Sequence, residues 1–402
     1  MSQLSKTKVP MAYIVLFFFA LATMNVINRY YYFAYIAVGL FCIKQNRRFK
    51  LDAGPVAMLF LLAASWVLFS PESTASIFGL IKPFTYLLCY IVGNSLLDDD
   101  INYGKDKTPL KLFYITVTAV ATGSLAHYLL NWVTNRNYGS RNTIDIWVGT
   151  EMAATGQAAL ACLPLGLAIA CLFIKTGKKI KIASIAAILL ILGYNLVLSG
   201  RTLLIMFAVI VLVALFHKLS TLKEGRARLI ALFIAIILLI VFVYQTNLFN
   251  VRSYIEGSPL YDRFFSDKSD EDVEDDERLD RKIYYLKNFD RHLFGGAHLL
   301  EEIGYSHDII LDTHDEGGIF AFVGMLGYLF ISLGHLVRCL KDKSLSFEFR
   351  NIVLCVYVIV YLEFMVEPIL QGMPWLFATF CLIDGYVARV VKHNKMIQSK
   401  VR

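Results

Sequence analysis

Charged residues are scarce in this chain. Aspartate, glutamate, lysine and arginine make up 18% of its 402 residues, whereas hydrophobic residues make up 57%. Apolar runs recur that match the length of one helical crossing of a bilayer, about 20 residues. The sequence therefore predicts an integral membrane protein. The first apolar run lacks the small-residue cleavage site of a signal peptide and leads directly into the next, so we expect a retained helix there.

Cysteine pairs with metal-binding or redox spacing are also lacking. There is no Cys-x-x-Cys pair, and every cysteine lies in or beside a predicted helix, away from the predicted external loops. The seven are Cys42, Cys89, Cys162, Cys171, Cys339, Cys355 and Cys381. This pattern argues against a disulfide framework and a zinc site. Internal repeats and a Gly-rich phosphate loop are absent too, and we expect no cofactor and no metal.

What the sequence does contain is a long series of apolar segments. Twelve candidate spans lie near residues 10–27, 30–43, 55–70, 75–97, 110–133, 148–174, 182–200, 201–217, 229–249, 319–337, 352–370 and 375–391. The second is short, and only Ser199 and Gly200 separate the seventh from the eighth. The predicted fold class is an all-α, polytopic membrane protein of about 12 transmembrane helices, with residues 1–402 in a single transmembrane domain.

The formal net charge of +7 comes from lysines and arginines that cluster in alternate loops. These loops are residues 44–50, 175–181, 218–228 and 338–350. The positive-inside rule places them in the cytoplasm together with both termini, and an even number of spans agrees with this topology. The basic residues therefore indicate topology, and we expect no nucleic-acid partner.

One predicted external loop, residues 250–318, is much longer than the others. Such a long connection between helices is uncommon unless it is functional or disordered. Its acidic run, residues 266–280, is compatible with a solvated disordered segment. A divalent ion could bind there, but the run lacks the ligand spacing of an EF-hand loop.

Two parts of this loop have helical patterns. Residues 278–290 space their apolar side chains as an amphipathic helix does, and a Gly-Gly pair then breaks the pattern. Residues 306–316 are compatible with a second helix, on which His307 and Leu311 would lie one turn apart. The Gly-Gly pair that follows would end this helix before the tenth span. The loop is thus predicted to be partly helical.

Several charged residues fall at predicted outer helix ends. Arg201 starts the eighth span, where it either snorkels to the interface or binds an anion. Arg278 either binds an anion or pairs on the surface with a neighbouring glutamate. Glu363 and Glu367 share one helical face, where they could line a wet cavity, pair with arginines or reach the interface.

His307 is the candidate general base. An imidazole titrates near neutral pH and can accept a proton from a sugar hydroxyl, although a loop histidine can equally be an ordinary polar residue. Asp308 and Asp312 could orient it, and His314 is the competing histidine.

The order of these features resembles that of the O-antigen ligase and polymerase superfamily of bacterial inner-membrane glycosyltransferases. Members have many helices, a long periplasmic loop near the C-terminal third, an arginine at the outer end of a preceding helix, and a motif close to His-Asn-x-x-Leu followed by Glu-x-Gly. The motif residues here are His307, Asp308 in place of the asparagine, Leu311, Glu316 and Gly318. The two family arginines match Arg201 in LSGRTLL and Arg278 in ERLDRKIYYLKNF, and LFGG at 293–296 matches an apolar-Phe-Gly turn. The alignable part is residues 145 to 340.

The resemblance implies a metal-independent enzyme with its active site on the periplasmic side of the inner membrane. It would transfer a glycan from undecaprenyl diphosphate to an acceptor hydroxyl. Arg201 and Arg278 would hold the diphosphate, and His307 would be the base. Further substrate contacts would come from Asp308, Asp312, His314 and Glu316.

The predicted function is polymerisation of lipid-linked repeat units in O-antigen or capsule synthesis. The partners would be an undecaprenyl-diphosphate-linked oligosaccharide, a lipid-linked or lipopolysaccharide acceptor, and a chain-length regulator. A ligase that moves O-antigen onto lipid A-core uses the same donor and is the close alternative; HDIILD at 307–312 favours the polymerase. Two further alternative functions are a polysaccharide-lipid transporter and a non-catalytic assembly scaffold. Transporters usually carry their polar residues at the midplane, whereas this chain gathers them at the predicted outer side.

Overall fold

The computed structural model describes residues 17–26, 30–44, 51–96, 108–135, 142–222, 224–258, 260–261 and 273–401, and most of these residues are helical. The first elements are α1 (17–24), α2 (Tyr30–Lys44), α3 (Ala53–Phe69), α4 (Pro71–Ala75), α5 (Ile77–Ser95), α6 (Thr108–Thr134), β1 (Asn142–Ile144) and β2 (Glu151–Ala153). They are followed by α7 (Ala154–Phe173), α8 (Lys178–Leu198), α9 (Arg201–Thr221), α10 (Arg226–Gln245) and, after a 3-10 turn at Leu248–Asn250, α11 (Val251–Glu256). The last are α12 (Val273–Lys287), α13 (His298–Ile303), α14 (Ile309–Lys341), α15 (Phe347–Phe364), α16 (Ile369–Gly372) and α17 (Pro374–Val401).

Eight helices in the described part of the chain are long and apolar enough to cross a membrane, namely α5, α6, α7, α8, α9, α10, α14 and α17. The apolar parts of α2 and α3 are shorter. The helical membrane class that the sequence predicts is therefore confirmed. The count of twelve spans, the side of each terminus and the external position of residues 250–318 stay predictions.

The bundle is held together by a small number of extensive helix pairs. α3 packs along α14, and α5 packs along α17. In the second pair Gly93 of α5 lies against the backbone at Leu382, and Gly385 of α17 lies against the backbone at Tyr90, so a Cβ at either glycine would clash. Small residues in such reciprocal positions let membrane helices approach closely, where van der Waals packing stabilises the pair.

α7 is central to the other half of the bundle, where it packs against α6, α8, α9 and α15. Its membrane-length window is 83% buried, and that of α17 is wholly buried. At the other extreme, none of the described side chains in the corresponding window of α10 is buried. The interior of the protein thus lies around α7 and α17, and α10 lies at its periphery.

The long helix α14 breaks at Gly318, whose φ and ψ are 74° and −171°. The break exposes backbone groups that a continuous helix would pair, and the Gly295–Gly296 turn supplies the partners. Gly296 N donates to Glu316 O at 3.2 Å, and Ile319 N donates to Leu293 O at 2.8 Å. Both Gly295 and Gly318 have positive φ and lie against neighbouring backbone, so glycine is required at these two positions.

Two sequence-based boundaries need correction. The helix expected over residues 306–316 starts only at Ile309, because the Asp308 carboxylate caps it by accepting from the amides of Ile310 and Leu311. His307 therefore precedes the helix instead of lying one turn before Leu311. The second is the span expected from residue 148, which begins at Ala154 because the preceding residues form the β hairpin. The end expected for the first helix at Gly317-Gly318 is confirmed, since Gly318 has a non-helical conformation there.

The segment that contains α12 and α13 has a small core of its own. Tyr285, Leu299 and Leu311 are buried against one another, and Tyr285 OH donates to Gly304 O at 3.0 Å. α12 confirms the amphipathic helix expected over residues 278–290, although it ends at Lys287. Residues 266–272 of the acidic run fall outside the described residues, as do the side chains of residues 273–277 in α12.

Candidate functional site

A cavity of ≈ 500 Å³ lies where the C-terminal part of α6, the start of α7, α12, the loop before α14 and the start of α17 meet at one end of the bundle. Its polar and aromatic lining residues are Asn25, His127, Asp145, Thr150, Glu151, Thr155, Arg278, Arg281, Tyr305, His307, Glu367 and Trp375. Two residues predicted for the site, Arg278 and His307, are thus brought to the same cavity. We call it the polar cavity.

One wall of the polar cavity is the β hairpin. His127, fully buried on α6, places its Nε2 3.0 Å from Asp145 Oδ2. Asp145 Oδ1 accepts from the amides of Trp147 and Val148. Burial raises the pKa of Asp145, but the contacts with His127 and these two amides outweigh burial and bring the pKa below its ordinary value. Asp145 is therefore a carboxylate that fixes the hairpin against α6.

The opposite wall carries two arginines and one carboxyl group. Arg278 and Arg281 line the cavity from the first half of α12, and Arg281 packs over the backbone of Gly304. Arg278 Nη2 lies 3.6 Å from Oε1 of Glu367, which follows the end of α15 and is only 4% exposed. Burial raises the pKa of Glu367 to about 7, although the charge of Arg278 and a hydrogen bond with Thr155 act in the opposite direction. A carboxyl group with this pKa can exchange protons near neutral pH.

Glu363 lies behind this wall, one helical turn before Glu367. It is fully buried on α15, and neither carboxyl oxygen has a hydrogen-bond partner among the described residues. Its electrostatic partners are Glu367 and Arg278. The sequence left three alternatives for this pair of glutamates: a wet cavity, pairing with arginines, or the interface. In the structure Glu367 lies at the cavity beside an arginine, whereas Glu363 lies in the protein interior.

His307 lines the polar cavity from a loop whose geometry is fixed on both sides. The buried Asp312 carboxylate accepts from Ser306 N at 2.8 Å and from Ser306 Oγ at 2.7 Å. Asp308 then caps α14, and Lys282 Nζ lies 3.8 Å from its second carboxylate oxygen. Between these anchors His307 has a φ of 58°, which is uncommon for a residue with a side chain. Asp308 and Asp312 therefore orient His307 through the backbone and do not line the cavity themselves.

His314 and Glu316 are placed away from the polar cavity. The His314 ring stacks on Phe289, with 3.8 Å between ring centroids, and is 2% exposed. Glu316 accepts a hydrogen bond of 2.5 Å from Ser70 Oγ, which ties α14 to the turn after α3. Both residues support the fold around the loop, and neither is placed to contact a ligand in this cavity.

Arg201 begins α9 and is likewise not among the residues that line the polar cavity. It follows the α8–α9 corner, where Asn195 Nδ2 donates to Gly200 O at 2.8 Å. The hairpin reaches the same end of the bundle, because Tyr194 OH donates to Thr143 Oγ1. Arg201 is therefore at the cavity's end of the molecule, but in a different corner.

Sequence reasoning missed several lining residues. Asp145 is in a loop without a motif, and Tyr305 precedes the motif histidine. No motif marks Trp375 or Arg281. The only available signal was that Arg281 lies three residues after Arg278, which places both on one face of a helix.

The described residues contain no group of three or more histidine, cysteine or acidic side chains arranged to hold a metal ion. The chemical groups that the cavity does offer are two guanidinium groups, two imidazoles, buried carboxyl groups and aromatic rings. Such a set can bind an anionic ligand that carries hydroxyl groups, and it can exchange protons with it.

No protein-family model matches this sequence, and no curated protein matches it significantly. From the structure, the chain is a helical membrane protein with a polar, arginine-lined cavity at one end of the bundle. Its resemblance to the O-antigen ligase and polymerase superfamily is carried by the quoted motifs alone.

Proposed function

We propose that this protein is a bacterial inner-membrane glycosyltransferase. It transfers a glycan from undecaprenyl diphosphate to the hydroxyl of a lipid-linked acceptor, and thereby polymerises the repeat units of an O-antigen or capsule. The observation that carries the proposal is that Arg278 and His307, separated in sequence by the rest of α12 and by α13, line one cavity. This cavity brings together the cation and the base that the reaction requires.

The arginines serve the donor. In the reaction the bond between the anomeric carbon of the donor sugar and the diphosphate oxygen breaks, and its electron pair goes to the leaving diphosphate. Guanidinium groups match phosphate oxygens in bidentate fashion and stabilise the negative charge that develops on them. Arg278 and Arg281 lie on the same wall of the polar cavity, so they can act on one diphosphate together.

The acceptor requires a base. His307 Nε2 or Nδ1 would accept the hydroxyl proton as the acceptor oxygen bonds to the anomeric carbon. Glu367 is the alternative base, because it lines the same cavity and its pKa of about 7 leaves a large fraction ionised at neutral pH. The aromatic faces of Tyr305 and Trp375 line the space where a sugar ring would stack.

The membrane location supports the same donor class. A polyprenyl diphosphate cannot leave the bilayer, so its reactive end must meet the enzyme at the membrane surface. The polar cavity lies at the ends of membrane-length helices, which is where such a headgroup would be presented.

The test is reconstitution of the purified chain in proteoliposomes with an undecaprenyl-diphosphate-linked repeat unit. A polymerase produces a ladder of longer lipid-linked glycans, and none should form with a soluble sugar phosphate. Lipid-linked donor that stays at one repeat, together with its movement across the bilayer, would show a transporter instead.

The ligase alternative shares the donor and differs in the acceptor. Deletion of the gene distinguishes the two: lipopolysaccharide with a single repeat unit indicates a lost polymerase, whereas polymer retained on undecaprenyl diphosphate indicates a lost ligase. We expect the first result.

A further inference from the structure

A second cavity, of ≈ 550 Å³, lies at the opposite end of α7 from the polar cavity. Thr155 and Gly156 at the start of α7 line the polar cavity, whereas Leu172 and Phe173 at its end line the second one. At about 1.5 Å per residue the two are roughly 25 Å apart, which approaches the thickness of a bilayer's hydrocarbon core. The second cavity is therefore a separate site on the other side of the bundle.

The lining of the second cavity is apolar except for three lysines, so we call it the lysine-rimmed cavity. Its walls are the end of α7, the start of α8, the end of α9 and the start of α10, with Ile169, Ile188, Phe207 and Val211 among the lining side chains. A space of this size and composition suits a hydrocarbon chain.

The three lysines are Lys175 just after α7, Lys181 near the start of α8 and Lys218 near the end of α9. They are close enough that the charges of Lys175 and Lys181 act on Lys218. Glu348 is the acidic residue that acts on Lys218, whose Nζ also lies 4.3 Å from the centroid of the Phe347 ring. Three ammonium groups against one carboxylate leave excess positive charge, and an anion with several acceptor oxygens would relieve their mutual repulsion.

The lysine-rimmed cavity also reaches the outer apolar surface of the bundle. Two of its lining residues on α8, Ile185 and Leu189, are 48% and 65% exposed. α10 closes the other side, and none of the side chains described in its membrane-length window is buried. Acyl chains of the surrounding bilayer cover such a surface, so a lipid can enter sideways without crossing water.

We infer that the lysine-rimmed cavity binds an anionic phospholipid, with an acyl chain along the apolar walls and the phosphate at Lys175, Lys181 and Lys218. A soluble anion would use only the lysines, and a neutral lipid would use only the walls. The positive-inside rule places this end in the cytoplasm, where the leaflet carries anionic phospholipids that basic pockets between helices attract. The inference is independent of the glycosyltransferase proposal, because it concerns the opposite end of the molecule.

The first test is native mass spectrometry of the full chain released from detergent micelles, with dioleoyl phosphatidylglycerol or dioleoyl phosphatidylcholine added. We expect phosphatidylglycerol to be retained at least about tenfold more strongly, as cooperative contacts with several lysines would produce. The K175Q/K181Q/K218Q variant should lose this preference. The matched control K178Q/K179Q/K343Q removes the same charge from exposed lysines that do not line the cavity.

Two results would overturn the inference that the three lysines bind the lipid phosphate. The first is equal retention of both lipids by the wild type, and the second is an equal loss of preference in the control triple variant. Undecaprenyl monophosphate is added as a competitor of bound phosphatidylglycerol. If it displaces the bound lipid at a lower concentration than added phosphatidylglycerol does, the ligand is the polyprenyl carrier, and the phospholipid assignment fails.

The second test addresses the apolar walls and keeps all three lysines. V211W places an indole inside the lysine-rimmed cavity, whereas L212W places one on the neighbouring outer surface, where Leu212 is 57% exposed. We expect V211W to reduce retention of phosphatidylglycerol at least about tenfold and L212W to leave it unchanged. Thermal unfolding followed with a thiol-reactive dye verifies that each variant is folded, since the six described cysteines are buried. Unchanged retention by folded V211W would exclude an acyl chain in the cavity.

Discussion

Arg278 Nη2 and Glu367 Oε1 approach to 3.6 Å at the wall of the polar cavity. This separation is longer than a direct hydrogen bond, so the carboxyl group holds the guanidinium near its place without occupying its N–H donors. The arginine thus remains able to bind an incoming phosphate in bidentate fashion, while Glu367 is held in a water-poor position beside it. The predictions below test each part of this arrangement.

Replacing His307 with asparagine should lower the rate of glycan transfer by about 100-fold or more, which is the usual contribution of a general base. Asparagine tolerates the positive φ at this position, so the loop should keep its geometry. Initial rates in proteoliposomes measure the effect. The control is H298A, which removes an exposed histidine at the start of α13. A rate within threefold of the wild type, about 0.65 kcal/mol in activation free energy, would exclude His307 as the base.

Replacing Arg278 with lysine should weaken donor binding and slow transfer, because an ammonium group cannot make the bidentate contact with a diphosphate. R291K is the control, since Arg291 is 53% exposed and pairs with Glu302 on the surface. The measurement is the apparent affinity of each variant for the lipid-linked donor, which R278K should lower and R291K should not. Equal effects of both substitutions would show that Arg278 acts only through overall charge.

The family resemblance and the geometry lead to different expectations for Arg201. The resemblance assigns it to the diphosphate, but it does not line the polar cavity. We expect R201A to reduce transfer less than R278A does, in the same proteoliposome assay. If R201A abolishes transfer and R278A does not, the diphosphate binds at the α8–α9 corner, and the polar cavity is not the donor site.

Glu367 should make the stability of the protein depend on pH near neutrality. Its folded-state pKa of about 7 lies above the ordinary value of 4.5, so the folded state retains a proton that the unfolded state has lost. The unfolding free energy should therefore fall as pH rises from 4.5 to 7 and then level off. E367Q should flatten this dependence, because glutamine imitates the neutral form; E151Q, at an exposed cavity position, should not. Thiol-dye unfolding in detergent between pH 5 and pH 8 measures it, and an unchanged slope in E367Q would contradict the assignment.

The break in α14 should depend on Gly318. A Cβ there would lie 2.6 Å from Leu293 O, and the positive φ disfavours any other residue. We expect G318A to lower the unfolding free energy by about 1–3 kcal/mol and to reduce transfer, because the turn that pairs with the break also positions the segment before His307. The control is G334A in the same helix, where nothing lies within 4 Å of the added Cβ. That substitution should be neutral or stabilising.

Parts of the structure were predictable from sequence because their signals are local. The apolar runs located the helices, and the spacing of apolar residues after Arg278 located α12. The helix expected over residues 306–316 was placed three residues too early, because the Asp308 side chain competes as a cap and its effect depends on the loop before it. Trp375 was not predicted for the site, since nothing in its sequence environment distinguishes it from an interfacial aromatic residue. For Arg281 the only signal was its spacing of three residues from Arg278.

By itself the sequence determines the class of protein, because the free energy of placing a segment in a bilayer depends mainly on the side chains of that segment. It also supplies a set of polar candidates at helix ends. Only the tertiary structure decides which of them share a cavity: Arg278 and His307 line it, while Glu316 and His314 hold the fold and Arg201 lies in another corner. The physical reason is that these positions depend on helix packing, on the break at Gly318 and on caps between distant segments, and none of these is encoded in a single stretch of chain.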